Sequence, residues 1–198
     1  MPAVDAAAGK VLLVSKKRKP PELFTLPLAD PRGEWREARR IGRLAGVPEA
    51  AWDVRTGDGR TIGNDAPEGG FGRILVDAPC TGLGALRRRP ESRWRRTPAD
   101  LAVLTDLQAE LLDAAVAVLA PGGVLAYVTC SPHPAETVVQ VDDLLRRRPE
   151  LEQLDAAAAL QDVALADLGL AAPEGTDPVP ARTAQLWPHR HGTDAMFL

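Results

Sequence analysis

Two segments of this chain share one build, and they bracket the stretch from Arg73 to Pro132 around which the rest is organised. The first reads Arg73-Ile-Leu-Val-Asp77-Ala-Pro-Cys80-Thr-Gly-Leu-Gly84, the second Gly123-Val-Leu-Ala-Tyr-Val-Thr-Cys130-Ser-Pro132. Each is a short apolar, β-branched run, then a cysteine with a proline close by, then a turn. In an open parallel sheet, residues just past the carboxyl ends of the strands line the ligand crevice. Both cysteines are therefore expected to face one cleft. A thiolate is a strong nucleophile, and a second polar group beside it can steer protons. The pair reads as a reaction site.

These are the only 2 cysteines in 198 residues, so none remains for a structural framework, and a reducing cytoplasm fits that usage. Geometry alone would also permit a disulfide between them. They lack the Cys-x-x-Cys spacing of a thiol redox protein, which ranks that class last. His133, His189 and His191 have no cysteines or acids at ligand spacing, so no metal site is expected. The length suits one domain with a single large core. No apolar run approaches the roughly 20 residues that cross a bilayer, and the amino terminus lacks the charged-then-apolar layout of a secretory signal.

The other elements follow from pattern. Leu23–Leu28 reads as a short strand that Pro27 weakens, Glu34–Leu44 as a helix, and Trp52–Thr56 as a strand before Gly57-Asp58-Gly59. Thr97-Pro98-Ala-Asp100 marks a helix start, with Thr as cap, Pro at the first helical position and an acid in the first turn. Leu101, Leu104, Gln108, Leu111, Ala115 and Val118 then recur at helical spacing and should form the stripe packed on the sheet. Pro121-Gly-Gly123 should end that helix. Pro134-Ala-Glu136 opens another, running to Arg148 with Val138, Val141, Leu144 and Leu145 inward. Leu154–Pro180 shows no clear element. Ala184–Trp187 and Ala195–Leu198 read as a closing hairpin.

The net charge of −3 argues against a general nucleic-acid binder, but its distribution does not. Arg87, Arg88, Arg89, Arg93, Arg95 and Arg96 crowd around Trp94 directly after the Cys80 segment. Arginine can grip phosphates bidentately, and an indole offers a stacking face for a base. The plainer alternative is a solvated loop at a helix start.

Asp77-Ala-Pro-Cys80 together with Thr129-Cys130-Ser-Pro132 resembles the paired signatures of the S-adenosylmethionine-dependent RNA (cytosine-5) methyltransferases. Thr81–Trp94 and Leu186–Phe197 resemble the bacterial branch that modifies 16S ribosomal RNA. The likeness covers Asp58–Leu198 well and Leu26–Asp58 loosely. It implies an α/β, Rossmann-like class I methyltransferase fold, mostly parallel with an antiparallel C-terminal hairpin. It also implies S-adenosylmethionine as cofactor and RNA, 16S rRNA, as partner, in the cytoplasm without membrane or metal. Cys130 would be the nucleophile, Cys80 would assist release of the product, and Asp77 would hold the cytosine N3/N4 edge. Asp30 would accept the ribose hydroxyls and Asp58 the adenine amino group, with Asp77 closing the cofactor set. Arg87, Arg93, Trp94, Arg95 and Arg96 would face RNA.

The family pattern breaks before residue 23. A strand and a glycine-rich loop are expected there, and only Asp5-Ala-Ala-Ala-Gly-Lys10 stands at the right distance, with a single glycine. Glycines matter in such a loop because a Cβ would block close approach of the backbone to the cofactor. Residues 1–22 are accordingly read as a leader or an eroded first strand and cofactor loop, and 23–198 as the catalytic core. The alternative function is a catalytically impaired fragment serving as an RNA-binding or ribosome-assembly module.

Overall fold

A computed structural model describes the backbone of residues 4–5, 10–11, 13–14, 22–26, 54–170 and 177–198, and the side chains of 57–170, 177 and 179–198. The strands are β1 (Val4–Asp5), β2 (Lys10–Val11), β3 (Leu13–Val14), β4 (Glu22–Leu26), β5 (Val54–Asp58), β6 (Phe71–Asp77) and β7 (Leu119–Val128). The helices are α1 (Ser92–Arg95), α2 (Pro98–Ala117), α3 (Val138–Arg147), α4 (Ala156–Val163), α5 (Pro178–Ala181) and α6 (Pro188–His191). Turns of 3-10 helix lie at Gly59–Asp65, Leu83–Ala85 and Pro134–Glu136. The chain divides into two compact units, Met1–Ala78 with Leu111–Ala126, and Pro79–Glu110 with Tyr127–Leu198.

The first unit holds the sheet strands. β6 and β7 are hydrogen-bonded neighbours, and α2 between them is the crossover that a parallel pair requires. Their β-branched runs bury Phe71, Ile74 and Val76, while Arg73 stays exposed. The carboxyl half of α2 contributes Leu111, Leu112 and Ala115 to this core. Gly70 makes the entry into β6 possible. Its φ of +82° is left-handed, and a Cβ there would lie 2.6 Å from the Val118 carbonyl oxygen.

The amino-terminal strands pair differently. β1 with β2, β3 with β4 and β4 with β5 are all antiparallel. Asp5 pairs with Lys10, the two ends of the segment read as a cofactor loop, whose inner residues are 6, 7, 8 and 9. Those four residues lie outside the described set, as do Asp30 and the Glu34–Leu44 helix.

The second unit is built on a different kind of core. Leu104, Tyr127, Leu144 and Phe197 are buried, and so are Thr81, Gln108, Thr129, Ser131, Glu136, Thr137, Gln140 and Asp194. Every buried polar residue among the described ones belongs to this unit. α2 starts at Pro98, directly after Thr97. The Asp100 carboxylate reaches back to accept from the Thr97 backbone N–H at 2.8 Å and its hydroxyl at 2.9 Å, the carboxylate half of a capping box.

Three expectations need correction. The helix expected from Pro134 to Arg148 breaks at Thr137 (φ −132°, ψ −108°) into a 3-10 turn and α3. Of its four expected inward residues only Leu144 is buried, while the polar Glu136, Thr137 and Gln140 are. Pro121-Gly-Gly123 lies inside β7, which starts at Leu119, because Gly122 absorbs the turn at φ +71°. Leu154–Pro180 contains α4, capped by the Asp155 carboxylate accepting from Ala158 N–H at 2.8 Å.

The closing hairpin forms as read. Leu186 N–H donates to Met196 O at 2.7 Å, and Ala184 and Leu198 exchange bonds of 2.8 and 2.9 Å. Phe197 also pairs antiparallel with Thr129, which places the final strand against the end of β7.

Candidate active site

Two turns of the second unit bring the cysteines together. One leaves β6 through Ala78 and Pro79, places Cys80, and bends at Gly82 (φ +74°) into the Leu83–Ala85 turn. The other leaves β7 through Thr129, places Cys130, and is closed by Ser131, whose hydroxyl oxygen accepts from His133 N–H at 3.1 Å. The His133 ring then caps the next turn, its Nδ1 accepting from Ala135 N–H at 3.2 Å. The sulfurs of Cys80 and Cys130 lie 3.5 Å apart. A disulfide measures about 2.05 Å. Both are free thiols in contact.

The turns are tied to each other twice. Thr81, next to Cys80, donates its N–H to Glu136 Oε1 at 2.7 Å and its hydroxyl to Oε2 at 2.5 Å. Gly84 donates its N–H to the Cys130 carbonyl at 3.0 Å. From α2, Gln108 donates Nε2–H to Pro79 O at 2.8 Å and to Glu136 Oε1 at 3.3 Å. The buried Tyr127 hydroxyl donates to the Glu136 carbonyl at 2.8 Å. Burial, then the nearby Cys80 and Glu136, hold that phenol protonated far above the usual tyrosine range.

The arginine run splits in two. Arg88 forms a bidentate pair with the buried carboxylate of Asp194, with Nε 2.9 Å from each oxygen. This hydrogen bond first, then the charges of Arg88, Arg87 and Arg89, holds Asp194 below the usual carboxylate range against the opposing effect of burial. Arg88 also feels the charge of Cys130. Arg87 donates to the Gly192 carbonyl at 3.2 Å. Arg93, Trp94, Arg95 and Arg96 stay exposed on and just after α1, and the Trp94 indole is 77% accessible. An exposed indole flanked by cations is a surface that suits a nucleobase and its phosphates.

The two described carboxylates assigned to the cofactor, Asp58 and Asp77, both belong to the first unit and end β5 and β6. Asp77 ends β6 of the parallel pair, at the kind of strand end where an α/β sheet holds its ligand, whereas Asp58 ends β5, which pairs antiparallel with β4 in a separate sheet. Asp58 caps the following turn, accepting from Arg60 N–H at 3.0 Å, and pairs with the Arg60 guanidinium at 2.6 Å. The side-chain bond from Arg60 holds Asp58 below its ordinary range. Together the Arg60 backbone N–H and guanidinium make two contacts with each Asp58 oxygen, so a ligand amino group would have to displace part of this pairing.

Glu136, Thr81 and Gly84 escaped the sequence reading as site residues. Glu136 reads locally as an acid in a first helical turn. Gln108 carried the one available signal, a polar residue on the buried stripe of α2. Among the described residues no three His, Cys, Asp or Glu side chains could hold a metal, and no helix is long and apolar enough to cross a membrane.

This architecture occurs in solved methyltransferases. The chain matches a methyltransferase homolog protein from Pyrococcus horikoshii with a TM-score of 0.56 and 27% identity, covering 82% of this chain and 47% of that one. NSun6 from Pyrococcus horikoshii, solved with SFG, shares the fold at a TM-score of 0.60 and 24% identity, over 84% of this chain and 38% of its own. The fold is thus that of the class I methyltransferases, α/β and Rossmann-like. The profile of the family described as 16S rRNA methyltransferase RsmB/F matches residues 28–198, and the chain belongs to that family. Its members use S-adenosylmethionine. A Mycobacterium tuberculosis protein named as a methyltransferase is 61% identical over 128 residues, 65% of this chain and 25% of that protein. Ribosomal RNA small subunit methyltransferase B of Cronobacter sakazakii is 42% identical over 116 residues, 59% of this chain and 27% of that protein. The chain spans about a quarter of the length of these relatives.

Proposed function

We propose that residues 23–198 form the catalytic core of an RNA (cytosine-5) methyltransferase acting on 16S rRNA through a covalent cysteine adduct, with 1–22 as a leader or an eroded first strand and cofactor loop. The observation that carries this reading is the contact of two free thiols at 3.5 Å, each at the end of its own strand segment. Family membership supplies the substrate class. Under this reading the protein meets its ribosomal RNA substrate in the cytoplasm.

Carbon 5 of cytosine is too electron-poor to take a methyl group directly. The Cys130 thiolate adds to carbon 6, forming the S–C6 bond and opening the 5,6 double bond, so carbon 5 becomes enamine-like. Asp77 hydrogen-bonds the N3/N4 edge and stabilises the charge that develops there. S-adenosylmethionine supplies an electrophilic sulfonium methyl when bound, with Asp58 on its adenine and Asp30 on its ribose. Loss of the carbon-5 proton to a base then re-forms the double bond and breaks S–C6, releasing the thiolate. Cys80, in contact with the departing sulfur, assists this step. A free thiol has a pKa of about 8.5, so Cys130 needs a helix start or a cation to ionise at neutral pH, and the Pro134 turn and the arginine run are the candidates. The exposed Arg93, Trp94, Arg95 and Arg96 bind the RNA strand, with Arg87 beside them.

Trapping on RNA that carries 5-fluorocytidine tests this directly, since fluorine at carbon 5 blocks elimination. Wild type should form a stable protein–RNA adduct with S-adenosylmethionine present, and Cys130→Ala should form none. On ordinary cytidine RNA, Cys80→Ala should accumulate the adduct. Exchange of the two phenotypes would reverse the roles, and absence of any adduct would remove the covalent route.

A further inference from the structure

Glu136 is a fully enclosed carboxylate, 0% exposed, for which the covalent route above has no chemical task. A carboxylate is costly to bury unless its lone pairs are filled, so its donors indicate what the site is built to hold. Two of the three come from one residue. The Thr81 N–H donates to Oε1 and the Thr81 hydroxyl to Oε2, while Gln108 Nε2–H shares Oε1.

The Thr81 N–H belongs to the peptide unit that joins Cys80 to Thr81. Holding that N–H fixes the peptide plane, and the Thr81 hydroxyl bond fixes its rotation. On the other side, Glu136 lies in the turn that follows Cys130, and its own carbonyl is held by the Tyr127 hydroxyl. The Ser131 hydroxyl, next to Cys130, lies 3.5 Å from the Thr81 hydroxyl. The carboxylate therefore links the two cysteine turns.

We propose that Glu136 is a positioning residue. It clasps the Cys80 turn to the Cys130 turn and so sets the contact between the thiols. This rests on the covalent reading above for its purpose, which is to keep Cys80 in place when Cys130 must leave the base. The clasp itself stands on geometry.

Dibromobimane, a short reagent that fluoresces when it bridges two thiols, reads the clasp without any turnover. Glu136→Gln keeps the shape and loses the charge that both Thr81 donors address. Bridging of Cys80 to Cys130 should slow about tenfold, the equivalent of one charge-assisted hydrogen bond. Alkylation of either cysteine by monobromobimane should stay within about twofold of wild type, a change too small to signal a lost hydrogen bond. General loosening would speed that alkylation instead.

Should Glu136→Gln fail to fold, Thr81→Val removes the hydroxyl donor and Thr81→Ser retains it. Slow bridging in the valine variant and normal bridging in the serine variant support the clasp. Equal bridging rates in the valine and serine variants, or in Glu136→Gln and wild type, overturn it. The link to chemistry is read separately on cytidine RNA. Glu136→Gln should accumulate adduct as Cys80→Ala does. Accumulation in Cys80→Ala without accumulation in Glu136→Gln sinks the proposed purpose. Absence of adduct in both sinks the covalent reading and leaves the bridging result standing.

Discussion

Gly84 sits directly on the Cys130 carbonyl, donating its N–H at 3.0 Å, while its own carbonyl accepts from Ala195 N–H at 2.9 Å. No side chain fits between these segments. A Cβ on Gly84 would lie 2.2 Å from Ala195 O and 2.9 Å from Cys130 O, and both obstacles are backbone. Three chain segments thus meet at one glycine beside Cys130.

Gly84→Ala should therefore be among the most damaging single-methyl changes in the chain. Overpacking against backbone costs about 1–3 kcal/mol and sometimes more. Chemical denaturation should show the midpoint falling with the slope unchanged. A stability within about 0.5 kcal/mol of wild type, the usual size of an exposed substitution, would mean the segments can part without cost.

Asp194 ties the arginine run to the closing hairpin loop, and its titration gives a pH signature. Its folded pKa lies below its unfolded value, so the pairing with Arg88 stabilises the fold above the unfolded aspartate range, about 3.9. That contribution is lost as pH falls through the lower folded pKa. Asp194→Asn should cost about 1.5 kcal/mol at pH 7, the lower end for a charged hydrogen bond because Arg88 is largely exposed. The difference between variant and wild type should narrow below pH of about 4. A difference that stays constant through that range would show the pair contributes no charge-dependent stability.

Tyr127 is the chain's only tyrosine, so its phenol can be followed by absorbance without interference. Burial raises its folded pKa, so protonated Tyr127 supports the fold below the unfolded value of about 10, and that support is lost as pH rises beyond it. The phenolate band should appear only together with unfolding. Ionisation near pH of about 10 in a chain that keeps its circular dichroism would place the hydroxyl in water. Tyr127→Phe should cost about 1 kcal/mol through the hydrogen bond to Glu136.

The exposed segment around Trp94 makes a different demand. Replacing Arg93, Arg95 and Arg96 by Gln should weaken RNA binding and lower its salt slope by about 2–3, since each phosphate left unneutralised removes roughly 0.7–0.9. Thermal stability should barely move, since all three are exposed. Unchanged affinity at low salt would return this segment to a solvated loop.

The two cysteine segments were legible because everything they need is local: β-branched runs, a proline and a turn residue. The start of α2 was legible for the same reason, through Thr97, Pro98 and Asp100. What escaped was decided by distant partners. Gln108 looked like one more position on an apolar stripe, and its partners Pro79 and Glu136 lie 29 and 28 residues away. Glu136 reads as a helix-start acid until Thr81, 55 residues earlier, is seen to address it. The missed α4 is another matter. Asp155 before an alanine run was a helix signal, obscured by the proline-rich composition that follows.

The pairing of Thr129 with Phe197 sets an order of events. The strand that leads into Cys130 gains its neighbour from a segment 68 residues later. Contacts between such distant parts of a chain close late, because the intervening loop must first give up its freedom. On the ribosome, the turn that carries Cys130 is left without this support until Phe197 has cleared the exit tunnel. The segment around Cys130 is therefore expected to reach its folded geometry only after the Thr129–Phe197 contact has closed, which keeps the thiol from being held in place in a half-built chain.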